Sequence, residues 1–326
     1  MVSIVIPTYK RSDFIQRAID SILNQTYKDY EIIVVDDNEP NTTYRQELEK
    51  KMEKYRDNSE IIYIQHEKNK NGAAARNTGI NLAKGDYITF LDDDDYFLPN
   101  RLEIMTKALD KNKEYGAAYS SVLVTRNKEI IGNIVAKKTG NYKKELLLNE
   151  FSFGTGSNMF FRREVIKELN GFDETFERHQ DIETMIRFFR ENNILAIPEY
   201  LVVKVQDDRS NEPAYEKYMK IKEHYFNAFR NDIDKLSEND KKQFYKNQYM
   251  MVLVATIKNK DYNHAKEIEK TILIYEKLNW KDKIKLLVYY INNYIELEKI
   301  KYKIKKYSLK KSIDKSIIEE MKKIEC

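Results

Sequence analysis

The sequence predicts an α/β protein with a doubly wound parallel sheet over residues 1–213 and an all-α region over 214–326. Two observations carry this. Short continuous apolar runs alternate with helix-spaced segments through the first half, the pattern of strands covered on both faces. The last glycine is Gly171 and the last proline Pro213, and the chain beyond is rich in Lys, Glu, Ile, Leu and Tyr. Loss of both breakers together with strong helix formers predicts a bundle of about four to six helices.

Taken in order, "VSIVI" (2–6) reads as a buried strand, followed by a helix over "SDFIQRAIDSILNQ" with Ser12 as its N-cap and Ile15, Ile19, Ile22 and Leu23 on one face. "EIIVV" (31–35) is the second strand, with a helix near 41–55 after it. "IIYI" (61–64) is the third, and "AAARNTGINLAKG" a helix closed by Gly85. "YITFL" (87–91) is the fourth, before a helix opened by Pro99. Strands "AAYSSVLV", "SNMFF" and "LVVKV" and helices near 163–169 and 181–192 complete the region. Farther on, Ile313, Ile317, Met321 and Ile324 share a helical face.

Composition narrows the class. The only cysteine is Cys326, which excludes a disulfide framework and a cysteine zinc site within the chain. No apolar run approaches the roughly 20 residues of a membrane span, and the first apolar run is too short for a signal peptide. The expectation is a cytoplasmic protein, with the inner membrane face as a possible station. The net charge of +4 is uneven: Lys299 to Lys323 holds ten lysines against Asp314, Glu319 and Glu320, leaving the remainder near −3. Those basic C-terminal helices read either as a solvated bundle or as a contact to anionic lipid. No recognisable nucleic-acid module accompanies them. Oligomeric state is left open.

Ligands of such sheets sit at the carboxyl ends of the strands. There the chain places "PTYKR" after strand one, Asp36-Asp37-Asn38 after strand two and Asp92-Asp93-Asp94-Asp95 after strand four. Asp-Asp-Asn alone is equally a turn. Four adjacent aspartates repel, and a divalent cation bound through one or two carboxylates and ligand phosphates would offset that. An EF-hand is excluded because its sixth position would be Phe97 rather than Gly. The absence of G-x-G-x-x-G after strand one and of G-x-x-x-x-G-K-[ST] argues against a dinucleotide dehydrogenase and a P-loop enzyme.

"VSIVIPTYKRSDFIQRAIDSILNQTYKDYEIIVVDDN", "NGAAARNTGINLAKGDYITFLDDDDYFLPNRLE" and "GFDETFERHQDIETMIRF" together resemble the inverting GT-A glycosyltransferases of family two, of the bacterial surface-polysaccharide type, over about residues 1–205. The resemblance implies a GT-A domain that moves a sugar from a nucleotide-diphosphate donor, UDP foremost, to a hydroxyl of a surface glycan or lipid-linked acceptor. It implies that Pro7, Thr8, Tyr9 and Arg11 line the base and ribose pocket. Asp37, or second to it Asp36, accepts from the uracil N–H. Arg76 meets base or phosphate, or else pairs with an aspartate. The "LDDDD" run resembles the D-x-D motif. Asp92 then meets ribose or metal, Asp93 the sugar or diphosphate, and Asp94 the cation (Mn²⁺ or Mg²⁺). Asp95 turns outward or caps the next helix, and the register stays open by one position. The family's late acidic pair is Gln180-Asp181 here, which leaves Asp181 as the base; His179 is a candidate acceptor contact. Arg209 could meet the diphosphate, and a carboxylate of "QDDRS" the cation. Transfer to a polyprenyl phosphate, which hardly needs a base, and a non-catalytic sugar-nucleotide scaffold are the alternatives.

Overall fold

The structure, a computed structural model, describes residues 1–206, 212–292 and 313–325. These form two compact units: 1–141 with 153–206 and 313–325, and 142–152 with 212–292. The single cut at residue 213 expected from composition is therefore too simple, because a segment from each side of it belongs with the other unit.

Among the described residues the first unit is built on one sheet of nine strands. β1 (Val2–Thr8), β2 (Tyr30–Asp36), β3 (Ile61–Gln65) and β4 (Tyr87–Phe90) are followed by β5 (Tyr96–Phe97) and β6 (Ala117–Arg126). β7 (Glu129–Ile134), β8 (Phe160–Arg162) and β9 (Ile194–Val205) complete it. The order is β3-β2-β1-β4-β8-β6-β9-β5, with β7 on β6. The predicted parallel sheet holds for β3-β2-β1-β4. β8 then runs antiparallel to both β4 and β6, so the sheet is mixed. β1 and β2 are buried along almost their whole length, as their unbroken apolar runs require.

The helices of this unit are α1 (Ile15–Leu23), α2 (Thr43–Met52), α3 (Gly72–Leu82) and α4 (Arg101–Lys111), with α6 (Arg163–Glu168) and α7 (Gln180–Phe188) later in the chain. Three expected caps differ. α1 begins at Ile15 with no side-chain cap, and Ser12 instead donates to Glu47 at 3.1 Å. α3 ends at Leu82 with Ala83 leaving in extended backbone. Gly85 serves another need: a Cβ there would stand 2.7 Å from Ser3 N and 2.8 Å from Met1 O. Asn100 stands at the N-cap of α4, one residue beyond the predicted opening at Pro99. α3 itself presses on the sheet through Ala73, Ala74 and Ala75 and through Gly79, whose missing Cβ would overlap Val5.

A last helix, Lys315–Glu325, also belongs to this unit. Ile313 and Met321 are buried with Tyr96, Leu98, Leu123, Ile130 and Val203, and Ile317 and Ile324 pack at the edge. Tyr96 donates its hydroxyl to Glu325 at 3.0 Å. The apolar face predicted from spacing is thus real, and it packs on the sheet of the first unit. Residues 299–312 of the basic tail, and Asp207, Asp208 and Arg209 of "QDDRS", lie outside the described residues.

The second unit comprises α5 (Lys143–Leu147), α8 (Tyr215–Ala228), α9 (Arg230–Asp234), α10 (Glu238–Lys258), α11 (Tyr262–Tyr275) and α12 (Trp280–Asn292). Its core is Tyr218, Val252, Leu253, Ala255, Ile257, Ala265, Ile268, Ile272 and Leu286. Ser237 and Asp261 cap α10 and α11.

Candidate active site

At the carboxyl edge of β1 and β4 the first unit has an open cavity of about 360 Å³. Pro7, Thr8, Tyr9, Arg11, Asp37, Arg76, Asp92, Asp93 and Asp94 all line it. The parallel register explains this: β1 is flanked by β2 and β4, so the loops after all three strands open on one edge. Gly72, Ala75, Asp95, Thr155, Lys204 and Val205 also line the cavity and were not predicted to.

The four consecutive aspartates are in four different situations. Asp92 accepts from Arg76 Nη2 at 2.6 Å, and its backbone N–H donates to Ser157 Oγ at 3.0 Å. Asp93 is buried and accepts from Thr8 Oγ1 at 2.8 Å. Burial first, and then the charge of Asp94, pushes its carboxyl up to about 8. Asp94 pairs with Arg11, while Arg17 donates to its carbonyl. Asp95 does not turn outward and does not cap a helix. It is 2% exposed and accepts from Ser157 Oγ at 2.7 Å, Thr155 Oγ1 at 3.1 Å and Val205 N at 3.0 Å. Burial, with Asp92 and Asp94 nearby, raises its pKa.

Asp95 therefore anchors the loop, and its partners are themselves anchored. Arg101, wholly buried, donates to Ser157 O at 3.2 Å, Ser120 Oγ at 3.1 Å and Asn158 Oδ1 at 3.3 Å, over the ring of Phe97. Burial lowers its pKa to about 9. The Gly-flanked "GTGSN" run (154–158) was the only sequence signal for this turn.

The acids after β2 are held differently. Asp36 is wholly buried; it pairs with Arg45 Nε at 2.8 Å and accepts from Tyr63 Oη at 2.5 Å and Asn38 N at 2.9 Å. One Asp37 oxygen takes His66 Nδ1 at 2.7 Å and Lys70 N at 2.9 Å; the other takes Asn69 Nδ2 at 2.7 Å and Asn71 N at 3.0 Å. A carboxylate has about four lone-pair positions, and at Asp37, which also lines the cavity, all four are engaged in this structure. Its carboxylate shapes the 66–71 loop that leads into α3.

Arg76 links the aspartates to α7. Besides Asp92, it donates from Nη1 to Gln180 Oε1 at 3.1 Å. Of its two expected roles the structure shows the ion pair with an aspartate, and Arg76 also lines the cavity. His179 precedes α7 in left-handed backbone (φ 62°). Neither His179 nor Asp181 lines the cavity. Asp181 accepts from Ile182 N at 2.9 Å, and its carboxyl is raised above the usual range by burial. Arg76 and Lys204 oppose that rise, and Asp92 adds to it, so Asp181 lies within the electrostatic field of the aspartate loop. Lys204 also donates to Gly154 O at 3.2 Å. It is the lining cation that sequence reasoning overlooked, being inside the apolar-looking strand "LVVKV".

The model of the family "Glycosyl transferase family 2" matches residues 3–170, just over half of the chain. The chain belongs to glycosyl transferase family 2. The matched segment contains the whole aspartate loop and ends before α7. Among relatives, this glycosyltransferase is 32% identical over 232 residues to an uncharacterized glycosyltransferase of Methanocaldococcus jannaschii, covering 69% of this chain and 77% of that one. It is 32% identical over 197 residues to the UDP-Glc:alpha-D-GlcNAc-diphosphoundecaprenol beta-1,3-glucosyltransferase of Escherichia coli, covering 60% and 73%. It is 34% identical over 183 residues to the GalNAc(5)-diNAcBac-PP-undecaprenol beta-1,3-glucosyltransferase of Campylobacter jejuni, covering 54% and 55%. The fold also matches S. aureus TarS 1-349 solved with UDP-GlcNAc, at TM-score 0.55 and 18% identity over 78% of this chain and 80% of that one.

Proposed function

We propose that the chain is a metal-dependent, inverting glycosyltransferase that moves a sugar from a UDP-sugar to a hydroxyl of a lipid-linked glycan acceptor. One observation carries the reading: a single cavity collects the strand-one loop, the aspartate loop and the cations Arg11, Arg76 and Lys204. The names of the E. coli and C. jejuni relatives support a diphosphoundecaprenol-linked acceptor, and the E. coli name a UDP-glucose donor.

A divalent cation fits the donor set in one mode. Among the described residues no three acidic or imidazole side chains converge as a preformed cage. Asp92 and Asp94 are partly exposed at the cavity, each neutralised by an arginine. Mg²⁺ and Mn²⁺ are commonly held by one or two carboxylates with ligand phosphates completing the shell. When bound, such a cation stabilises the charge developing on the departing diphosphate. Asp94 and Asp92 would hold it, which frees Arg11 and Arg76 to meet phosphate oxygens, with Lys204 beside them. Asp93, buried and hydrogen-bonded to Thr8, would touch the sugar or the diphosphate. The raised carboxyl of Asp181 suits a base that must take a hydroxyl proton, since catalytic efficiency improves as its pKa approaches the working pH.

The test is mass spectrometry of products from UDP-, GDP- and dTDP-sugars with Mn²⁺ and a diphosphoundecaprenol-linked acceptor. A new glycoside from a UDP-sugar, absent with Asp181→Asn, is expected. Release of UDP without any glycoside product would reject transfer to this acceptor class.

A further inference from the structure

Five of the nine large apolar side chains that stand exposed among the described residues lie between residues 273 and 287 of the helical unit. Leu273 (54% exposed) and Ile274 (78%) end α11; Trp280 (67%), Ile284 (52%) and Leu287 (56%) belong to α12. The α12 residues are spaced i, i+4, i+7 and so share one face. The opposite face is already used: Leu286 is buried in the bundle core, and Tyr289 and Tyr290 pack against it. α12 thus has a second apolar face, turned to solvent, and a concentrated exposed patch of this kind marks an interaction surface.

The charge around the patch selects the partner. Lys277, Lys281, Lys283 and Lys285 are exposed on the same helix–loop–helix. Their acidic neighbours Glu276 and Asp282 are both engaged by Lys246, at 3.2 and 2.9 Å. What faces solvent is therefore a Trp-Ile-Leu stripe flanked by lysines, the composition of a helix that lies in a membrane interface. Among the described residues no helix is long and apolar enough to cross a membrane.

We propose that the α11–α12 hairpin docks the enzyme on an anionic lipid surface. Trp280, Ile284 and Leu287 enter the boundary between headgroups and acyl chains, and the lysines meet lipid phosphates. This assigns the lipid contact to residues 273–287 rather than to the 313–325 helix, whose apolar face is already covered. It goes beyond the assignment of the donor cavity and does not depend on it.

Trp280 is the only tryptophan in the chain, so its fluorescence reports the contact directly. The full-length protein is titrated with phosphatidylglycerol–phosphatidylcholine vesicles and with phosphatidylcholine vesicles alone. Emission should shift to the blue on the anionic vesicles only. Ile284→Asp with Leu287→Asp, followed by co-sedimentation, should weaken partitioning at least about ten-fold while leaving the melting temperature unchanged. Reversal of Lys281, Lys283 and Lys285 to Glu should do the same. An unchanged spectrum on anionic vesicles overturns the proposal. So does an equal shift on neutral vesicles, or a shift that appears without vesicles as protein concentration rises, which would assign the patch to a second copy of the chain.

Discussion

Asp36-Asp37 and Asp92–Asp95 end two strands that flank β1 in the same parallel sheet, and both look like ligand sites in sequence. The first pair is closed. Asp36 and Asp37 are at most 2% exposed and are ringed by side-chain donors from Arg45, Tyr63, Asn38, His66 and Asn69 and by three backbone amides. The second cluster is graded. Asp95 is tied down as firmly as Asp37, whereas Asp92 and Asp94 keep 31% and 21% of their side chains exposed and rest on arginines from other elements. A buried carboxylate ringed by donors, of which Arg45 and His66 are themselves buried, shapes a loop. One that faces a guanidinium at the wall of a cavity can exchange that partner for a cation while the arginine turns to a phosphate. The difference lies in the partners, not in the acids.

The largest effect is expected where the aspartate loop's field reaches α7. Asp181→Asn should lower transfer by about 10²–10⁴-fold, the usual weight of a general base. UDP affinity measured by calorimetry should stay within about two-fold. Because the Asp181 carboxyl is raised by burial, and only the ionised form accepts a proton, wild-type activity should fall with acidification on a limb above the usual aspartate range. A limb at the ordinary carboxylate value would detach Asp181 from the role.

Next comes the closed pair. Asp36→Asn leaves Arg45 charged and buried, which costs about 3–5 kcal/mol in chemical denaturation. The same change at Asp94, beside a partly exposed arginine, should leave the denaturation midpoint within experimental scatter and reduce metal-dependent UDP affinity at least about ten-fold. Equal destabilisation by the two substitutions would erase the distinction between the clusters. The smallest effect is expected from Ser157→Ala. It removes one donor to Asp95 and the acceptor of Asp92 N, at about 1–3 kcal/mol of stability, with a modest rise in KM for the donor.

The first four strands, their helices and the shared edge were readable because each is a local pattern: an apolar run, a helical spacing, a polar stretch after it. β7 was missed because its hairpin turns on Asn127-Lys128, both at positive φ (49° and 61°), without the Gly that usually marks such a turn. The burial of Asp95 could not be read because its donors, Thr155, Ser157 and Val205, lie 60 to 110 residues away. The four hydrogen bonds that Asp37 accepts could not be read for the same reason: the loop that supplies them begins 29 residues later, at His66. The apolar face of the 313–325 helix was correctly read; its partner sheet, some 190 residues earlier at Leu123 and Ile130, was not.

The central claim is that the aspartate loop binds a nucleoside diphosphate through a divalent cation. Calorimetric titration of UDP into the full-length protein, once with Mn²⁺ and once with a chelator, tests it most directly. Binding with Mn²⁺ and at least about ten-fold weaker binding with the chelator is predicted. Equal affinity under both conditions, or no binding under either, would contradict it.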